Sequence, residues 1–376
     1  MRIGLLTLSA SDNCGSLLQC YALQRLFEQR GNEVEVINLV TEASKRVYQP
    51  LHLGYIKYPK RFLGQFLRFG SIKKQKLDYQ LFRERFLKLT QKQYSNSEDL
   101  KEIDGYYDII VCGSDQVWNI YMRDFDPAFL LSWCKNTKHL AYAVSLGDQK
   151  HGKLQDLVDA GLDIKRFTIV SVREKSSKKK FIRELGVEVE TCLDPTLCLP
   201  VCEWNKMIIN GMRPSEPYIF YYSYSYWNEK KNRIVKSFSQ KTGLPVYVIN
   251  PSRWVDGKEK KYGFRLFKQS GPTVFLNLMK GCRFSLVESF HGTIFSYLFE
   301  KQFFFLEDKS ELDDRINDLL ELLNLKCRVL KNENFEILSY SDIQYPLVNI
   351  ELEKQLKKSL YFLDKNCSTI MISNSL

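Results

Sequence analysis

The order of apolar and polar positions sorts most of this chain into alternating strands and helices. The run "RIGLLTL" (2–8) is almost unbroken in its apolar character, as expected of a strand covered on both faces of a parallel sheet. A polar loop, Ser9 to Ser16, follows. "LLQCYALQRLFEQRG" (17–31) has helical spacing and closes on Gly31, where a helix C-terminal glycine belongs. "EVEVINL" (33–39) is the next strand, completing a βαβ unit that predicts a parallel sheet with right-handed crossovers.

The pattern resumes after a long basic stretch. "YDIIVCGSDQ" (107–116) and "HLAYAVSLGD" (139–148) read as strands running into loops, and "FTIVSVREKSS" (167–177) as a strand leading into a helix near Glu174. "VEVETCLDPTLCL" (187–199) closes the first half, and Pro200 places a boundary between Leu199 and Glu203. The second half repeats the logic. Strands "EPYIFYYSY" (216–224) and "PVYVIN" (245–250) are separated by a helix, and a loop holding Gly257 and Gly263 follows. "GPTVFLNLMKGC" (271–282) is a helix with Pro272 in its first turn, then come strand "RFSLVES", helix "HGTIFSYLFEKQ" and strand "FFFLE". An amphipathic helix is expected from about Ser310, and a last one from about Asn349 to Leu363 that could fold back on the first half. The polar end "CSTIMISNSL" (367–376) is expected to be loose.

These elements predict an α/β protein of two Rossmann-like domains facing a cleft. The first spans 1–199 and carries an insertion at 45–92. The second spans 200–348, and 349–376 form the final helix and tail. A length of 376 residues suits two domains, and 44% apolar content supplies their cores. The ten cysteines form no CxxC pair and no metal-ligand spacing, so buried reduced thiols in a reducing compartment are expected. The N-terminus lacks a secretory apolar core, and no run approaches a membrane span. The expected location is the cytoplasm, with the inner membrane face as a peripheral site.

Charge sharpens the picture. Residues 45–92 hold thirteen Lys and Arg against two acids, Asp78 and Glu84, which equals the net +11 of the whole chain. Aromatic residues are interleaved, among them Tyr48, Tyr58, Phe62, Phe66 and Phe69. This is either a solvated helical face or a surface for anionic lipid, a polyprenyl diphosphate or another polyanion. No reader motif for nucleic acid accompanies it.

In open parallel sheets, ligands bind beyond the carboxyl ends of the strands. That rule selects Ser9–Ser16, Gly113–Trp118, Ser145–Asp148, Ser171–Lys175, Asp194–Thr196 and Ser289–Thr293. His291, one of four histidines, is expected in the first turn of a helix, where the amides of Gly292 and Thr293 would hold an anion. It is either a hydrogen-bonded packing residue or a proton donor that charges when a dianion binds. Arg173 ends a strand, either gripping a carboxylate or phosphate or pairing with Glu174. Asp115 is a base or an N-cap, and Asp194, before Pro195, a cap or a ligand. Asn13 and Gly15 form a tight loop positioned to touch a sugar or anion. Ser114, Ser145 and Ser289 complete the substrate-binding candidates. The first loop lacks both GxGxxG and GxxxxGK[ST], and no metal constellation is present.

The pieces "NCGSLLQCYALQ" (13–24), "YDIIVCGSDQVWN" (107–119), "AYAVSLG" (141–147), "SVREK" (171–175), "LDPTL" (193–197), "GPTVFLNLMKGC" (271–282) and "SFHGTIFSYLFEKQFFFL" (289–306) occur in order. Together they resemble the polysaccharide pyruvyltransferase family. The resemblance implies a glycosyltransferase-B-like fold. It implies transfer of pyruvate from phosphoenolpyruvate to a sugar as a cyclic ketal, with no cofactor beyond that donor. By resemblance, His291 is the acid or phosphate ligand and Arg173 the anion clamp. One departure stands out: where some members have an Arg two residues before the His, this chain has Ser289. A second cation would then come from Arg253, Lys258, Lys260, Lys261 or Arg265. The acceptor would be a saccharide, foremost a lipid-diphosphate-linked one. Two rival readings are a nucleotide-sugar glycosyltransferase, with Glu288 as a candidate for ribose hydroxyls, and a non-enzymatic membrane-surface module centred on 45–92.

Overall fold

The computed structural model describes residues 1–51, 56–148, 152–307, 309, 311–333, 335–336, 341–345 and 350–367. The tail beyond Cys367 lies outside them. Two six-stranded parallel sheets organise the chain. The first comprises β1 (Arg2–Leu6), β2 (Glu33–Val36), β3 (Ile109–Asp115), β4 (Lys138–Val144), β5 (Phe167–Val172) and β6 (Glu190–Thr191), in the order β2-β1-β3-β4-β5-β6. The second comprises β7 (Ile219–Tyr222), β8 (Val246–Val248), β9 (Arg265–Leu266), β10 (Phe284–Val287), β11 (Gln302–Leu306) and β12 (Val329–Leu330), in the order β12-β11-β10-β7-β8-β9. Chain direction across each sheet reverses between β1 and β3 and between β7 and β10. These are the topological switch points, where a crevice opens beyond the strand ends. Leu5 lies opposite Val111, and Val287 opposite Tyr222, so at each switch point the two strands reach the same level.

The first helix, Cys14–Glu28, starts earlier than its apolar spacing suggests because Asn13 caps it, accepting from the amides of Gly15 and Ser16. Thirteen of its fifteen residues are buried, since it packs on its own sheet and also on the second-domain helices Pro272–Gly281 and Phe290–Leu298. One apolar cluster therefore runs from Leu17 and Leu18 through Trp204 to Leu276 and Phe295, joining the domains. The ring of Trp204 bridges Tyr21, at 5.9 Å, and Phe295, at 5.0 Å. The last helix, Ile350–Cys367, lies on the first domain. There Asp364 pairs with Arg30 at 2.7 Å, and Ser359 accepts from the amide of Leu193 at 2.9 Å.

The basic insertion folds as helices Pro59–Leu67 and Phe69–Phe86, which strap the domains together. Arg83 donates to the carbonyls of Ser9 and Ser11 and to Asp12 in the first domain. Asp78 accepts from the amide of Ser270, Arg61 faces Asp256 at 3.9 Å and Arg68 pairs with Glu259 in the second. Gly64 rests on the Val255 carbonyl so closely that an added Cβ would lie 1.7 Å from its oxygen. Alanine normally favours a helix over glycine by about 1 kcal/mol. Gly64→Ala is nonetheless expected to lower stability by roughly 1–3 kcal/mol in urea unfolding, because the strap must back away from Val255.

Candidate active site

Helix Phe290–Leu298 begins directly beyond β10 at the second switch point. Ser289 caps it: its Oγ accepts the Gly292 amide at 3.0 Å, and its carbonyl accepts the Thr293 amide and hydroxyl. This corrects the expectation for Gly292 and Thr293. Their donors are spent within the cap, and Ser289 is the residue that spends them. Among the described residues, the amides of Phe290 and His291 are the ones left uncapped in that first turn. His291 lies against the mouth of the first helix. A Cβ on Gly15 would sit 2.2 Å from His291 Nδ1, so only glycine admits the imidazole there. On its other side, His291 Nε2 is 3.3 Å from Asp194 Oδ2, a close contact without hydrogen-bond alignment.

Asp194 is the hub behind the histidine. Oδ1 accepts from the amide and hydroxyl of Thr196, capping helix Pro195–Cys198, and Oδ2 accepts from Arg173 Nη1 at 2.8 Å. Burial alone would raise its pKa. The adjacent imidazole, the guanidinium and the Thr196 hydrogen bond outweigh burial and hold the carboxyl well below the usual range. Of the two expectations for Arg173, the structure shows the pairing with Glu174, and adds two further carboxylates. Its Nε donates to Glu174, its Nη1 also faces Asp115 at 3.7 Å, and its guanidinium lies 4.0 Å from the centre of the Phe290 ring. Nη2 alone lacks a partner. Burial would lower the Arg173 pKa, but the carboxylates of Glu174, Asp194 and Asp115 raise it.

Asp115 stands at the first switch point with φ 70° and lines the cleft. It accepts from Ser16 Oγ at 2.7 Å, so it couples the first helix to Arg173 rather than capping a helix of its own. Three other candidates are engaged by protein partners. Ser114 donates to the carbonyl of Ala143, Ser145 accepts from the amide of Gly147, and Asn13 Oδ1 serves its cap and the hydroxyl of Tyr224. Gly15 acts through His291. Gly15→Ala is expected to keep the fold but cut turnover by roughly 10²-fold by displacing that ring, which a kcat measurement beside a thermal melt checks.

The cleft contains a cavity of ≈ 640 Å³ bordered by Asn13, Asp115, Asp124, Ser289 and His291. A second cavity of ≈ 620 Å³ adjoins it, and both share Tyr48, Arg123, Tyr224 and Arg253. Arg123 and Arg253 are exposed and have no carboxylate within ion-pair distance among the described residues. Of the proposed second cations, Arg253 is the one that lines the cleft. Lys258 and Lys261 face Glu229, Arg265 pairs with Glu216, and Lys260 borders neither cavity. Arg123 carried no sequence signal beyond its place shortly after "GSDQVWN". Its neighbour Asp124 is also new: burial raises its pKa, against a 2.6 Å hydrogen bond from the Tyr48 hydroxyl. Glu288 is occupied. It accepts from Ser223, Ser225 and Lys231, and these partners overcome burial to lower its pKa.

Two Rossmann-like domains that meet at paired switch points define the glycosyltransferase-B-like class. Two solved structures share this fold. UDP-GlcNAc 2-epimerase from Neisseria meningitidis, bound to UDP-GlcNAc, aligns at TM-score 0.55 and 11% identity over 97% of this chain and 100% of its own. MnaA of S. aureus, solved with UDP, aligns at TM-score 0.51 and 11% identity over 96% of this chain and 87% of its own. No curated protein matches. The chain belongs to the polysaccharide pyruvyl transferase family, whose profile matches residues 13–310.

Proposed function

We propose that this protein transfers pyruvate from phosphoenolpyruvate to a sugar, forming a pyruvate ketal. The observation that carries the reading is His291, held between Gly15 and the Asp194 carboxylate, facing a cleft whose wall bears Arg123 and Arg253, neither in an ion pair among the described residues. The carboxylate and phosphate of the donor lie against these arginines and the uncapped helix amides. His291 gives a proton to C3, leaving an oxocarbenium-like C2. A sugar hydroxyl oxygen bonds to C2, and its proton passes to a cleft carboxylate, for which Asp115 and Asp124, both lining the cavity, are the candidates. The bond from C2 to the phosphate oxygen then breaks with its electron pair, and phosphate leaves. A second hydroxyl closes the ring. One hydroxyl proton balances the one added to C3, and the other leaves with phosphate.

The acceptor is a saccharide of a polysaccharide or its lipid-diphosphate-linked precursor. Support comes from the second cavity, where Arg46, Lys76, Arg123 and Arg253 face one acid, Asp12. A nucleotide-sugar donor is disfavoured because Glu288, the acid considered for ribose, has its carboxylate filled by protein donors. The deciding experiment incubates the protein with phosphoenolpyruvate and candidate saccharides. Phosphate release with the mass gain of a pyruvate ketal is expected. Nucleotide release from UDP-sugars, without phosphate from phosphoenolpyruvate, would overturn the reading.

A further inference from the structure

We propose that the outer face of the insertion helices is a docking ridge for an anionic lipid surface. Leu63, Phe66 and Leu67 stand at helical spacings of three and four and so share one face, exposed by 59%, 53% and 78%. Phe69 continues it at the start of the next helix. Helix Pro59–Leu67 cannot turn this face inward, because its opposite side is fixed by Gly64 on Val255 and by the Arg68–Glu259 pair just beyond its end.

The basic residues divide in the same way. Arg61 and Arg68 face acids of the second domain. Lys57, Lys60, Lys73 and Lys74 are exposed, and none has a carboxylate within ion-pair distance among the described residues. An apolar ridge with a basic rim free of ion pairs among the described residues matches anionic headgroups over acyl chains. A nucleic acid would match only the rim, and an acidic protein has no use for so wide an apolar band beside it. The inner face of the second helix, through Ile72, Gln75, Lys76 and Tyr79, lines the cationic cavity. Docking therefore holds that cavity one helix's breadth from the lipid surface. The docking stands on this surface alone; that it delivers a lipid-carried acceptor rests on the pyruvyl-transfer reading.

The test is sedimentation of the full chain with phosphatidylglycerol–phosphatidylcholine vesicles and with pure phosphatidylcholine vesicles. Binding to the anionic vesicles is expected to fall steeply with added salt. Replacing the four lysines with Gln should weaken it by about fivefold per lysine. The combined variant Leu63→Ser, Phe66→Ser, Leu67→Ser should weaken it by roughly tenfold or more. Unchanged binding of either variant, or equal binding to both vesicle types, overturns the proposal. So does a wild-type dimer that becomes monomeric on the serine substitutions, since the ridge would then be a self-association face. Phosphate release from phosphoenolpyruvate with a water-soluble acceptor is measured in the same preparations. It should be unaffected by the serine substitutions, and its absence in the wild type would defeat the catalytic reading while leaving the vesicle result intact.

Discussion

His291→Ala is expected to lower turnover by ~10²–10⁴-fold, the range for a positioned proton donor, with the melting curve little changed. The fold should survive because Ser289, not the imidazole, caps helix Phe290–Leu298, and because Arg173 still pairs with Asp194. The same substitution gives a sharper test. If Gly15 matters chiefly because it makes room for the ring, Gly15→Ala should cost far less in a His291→Ala background, where the retained Cβ, 2.8 Å from an added Gly15 Cβ, is the one remaining obstruction from residue 291. A double-mutant cycle on kcat is therefore expected to be strongly non-additive. Additive losses would mean that Gly15 serves the substrate or helix independently, and the histidine would lose its central role.

Asp194→Asn should bring the largest loss of stability. The amide keeps the shape and a contact to Thr196 but removes the charge between Arg173 and His291. Arg173, 3% exposed in its side chain, then keeps Glu174 and a more distant Asp115. Breaking a buried pair from one side costs about 3–5 kcal/mol, which urea unfolding at neutral pH would read. The pH dependence follows from the depressed carboxyl. An unfolded aspartate titrates near ~3.9, and the folded one lies below it. The stabilisation is thus fully present above about pH 4 and is lost as pH falls toward the folded value. Wild type should weaken across that acid window, and Asp194→Asn should show a flatter profile. Equal slopes would show that Asp194 carries no net stabilising charge.

The sequence made the long strands legible because parallel strands buried on both faces leave continuous apolar runs, as in β1, β3 and β11. The two-residue strands β6, β9 and β12 are too short to carry a period. Loops beyond strand ends were also legible, so His291, Arg173, Asp115 and Asp194 were singled out, and the structure gathers them. What they do to one another was not. Nothing in "SVREK" says that Arg173 faces three carboxylates, two of them distant in the chain. A serine before a helical run is a cap signal. Ser289, expected as a substrate contact, is engaged as that cap. The basic insertion shows the same limit. Its composition gives its charge, but only the fold shows which cations the second domain neutralises.

The chain crosses between domains near Pro200 and again ahead of the final helix, which grips the first domain. The insertion spans the gap a third time, through side chains. Three tethers along one seam act like two pins and a latch: sliding or separation of the halves would have to break the strap's contacts, whereas rotation about the seam need not break all three at once.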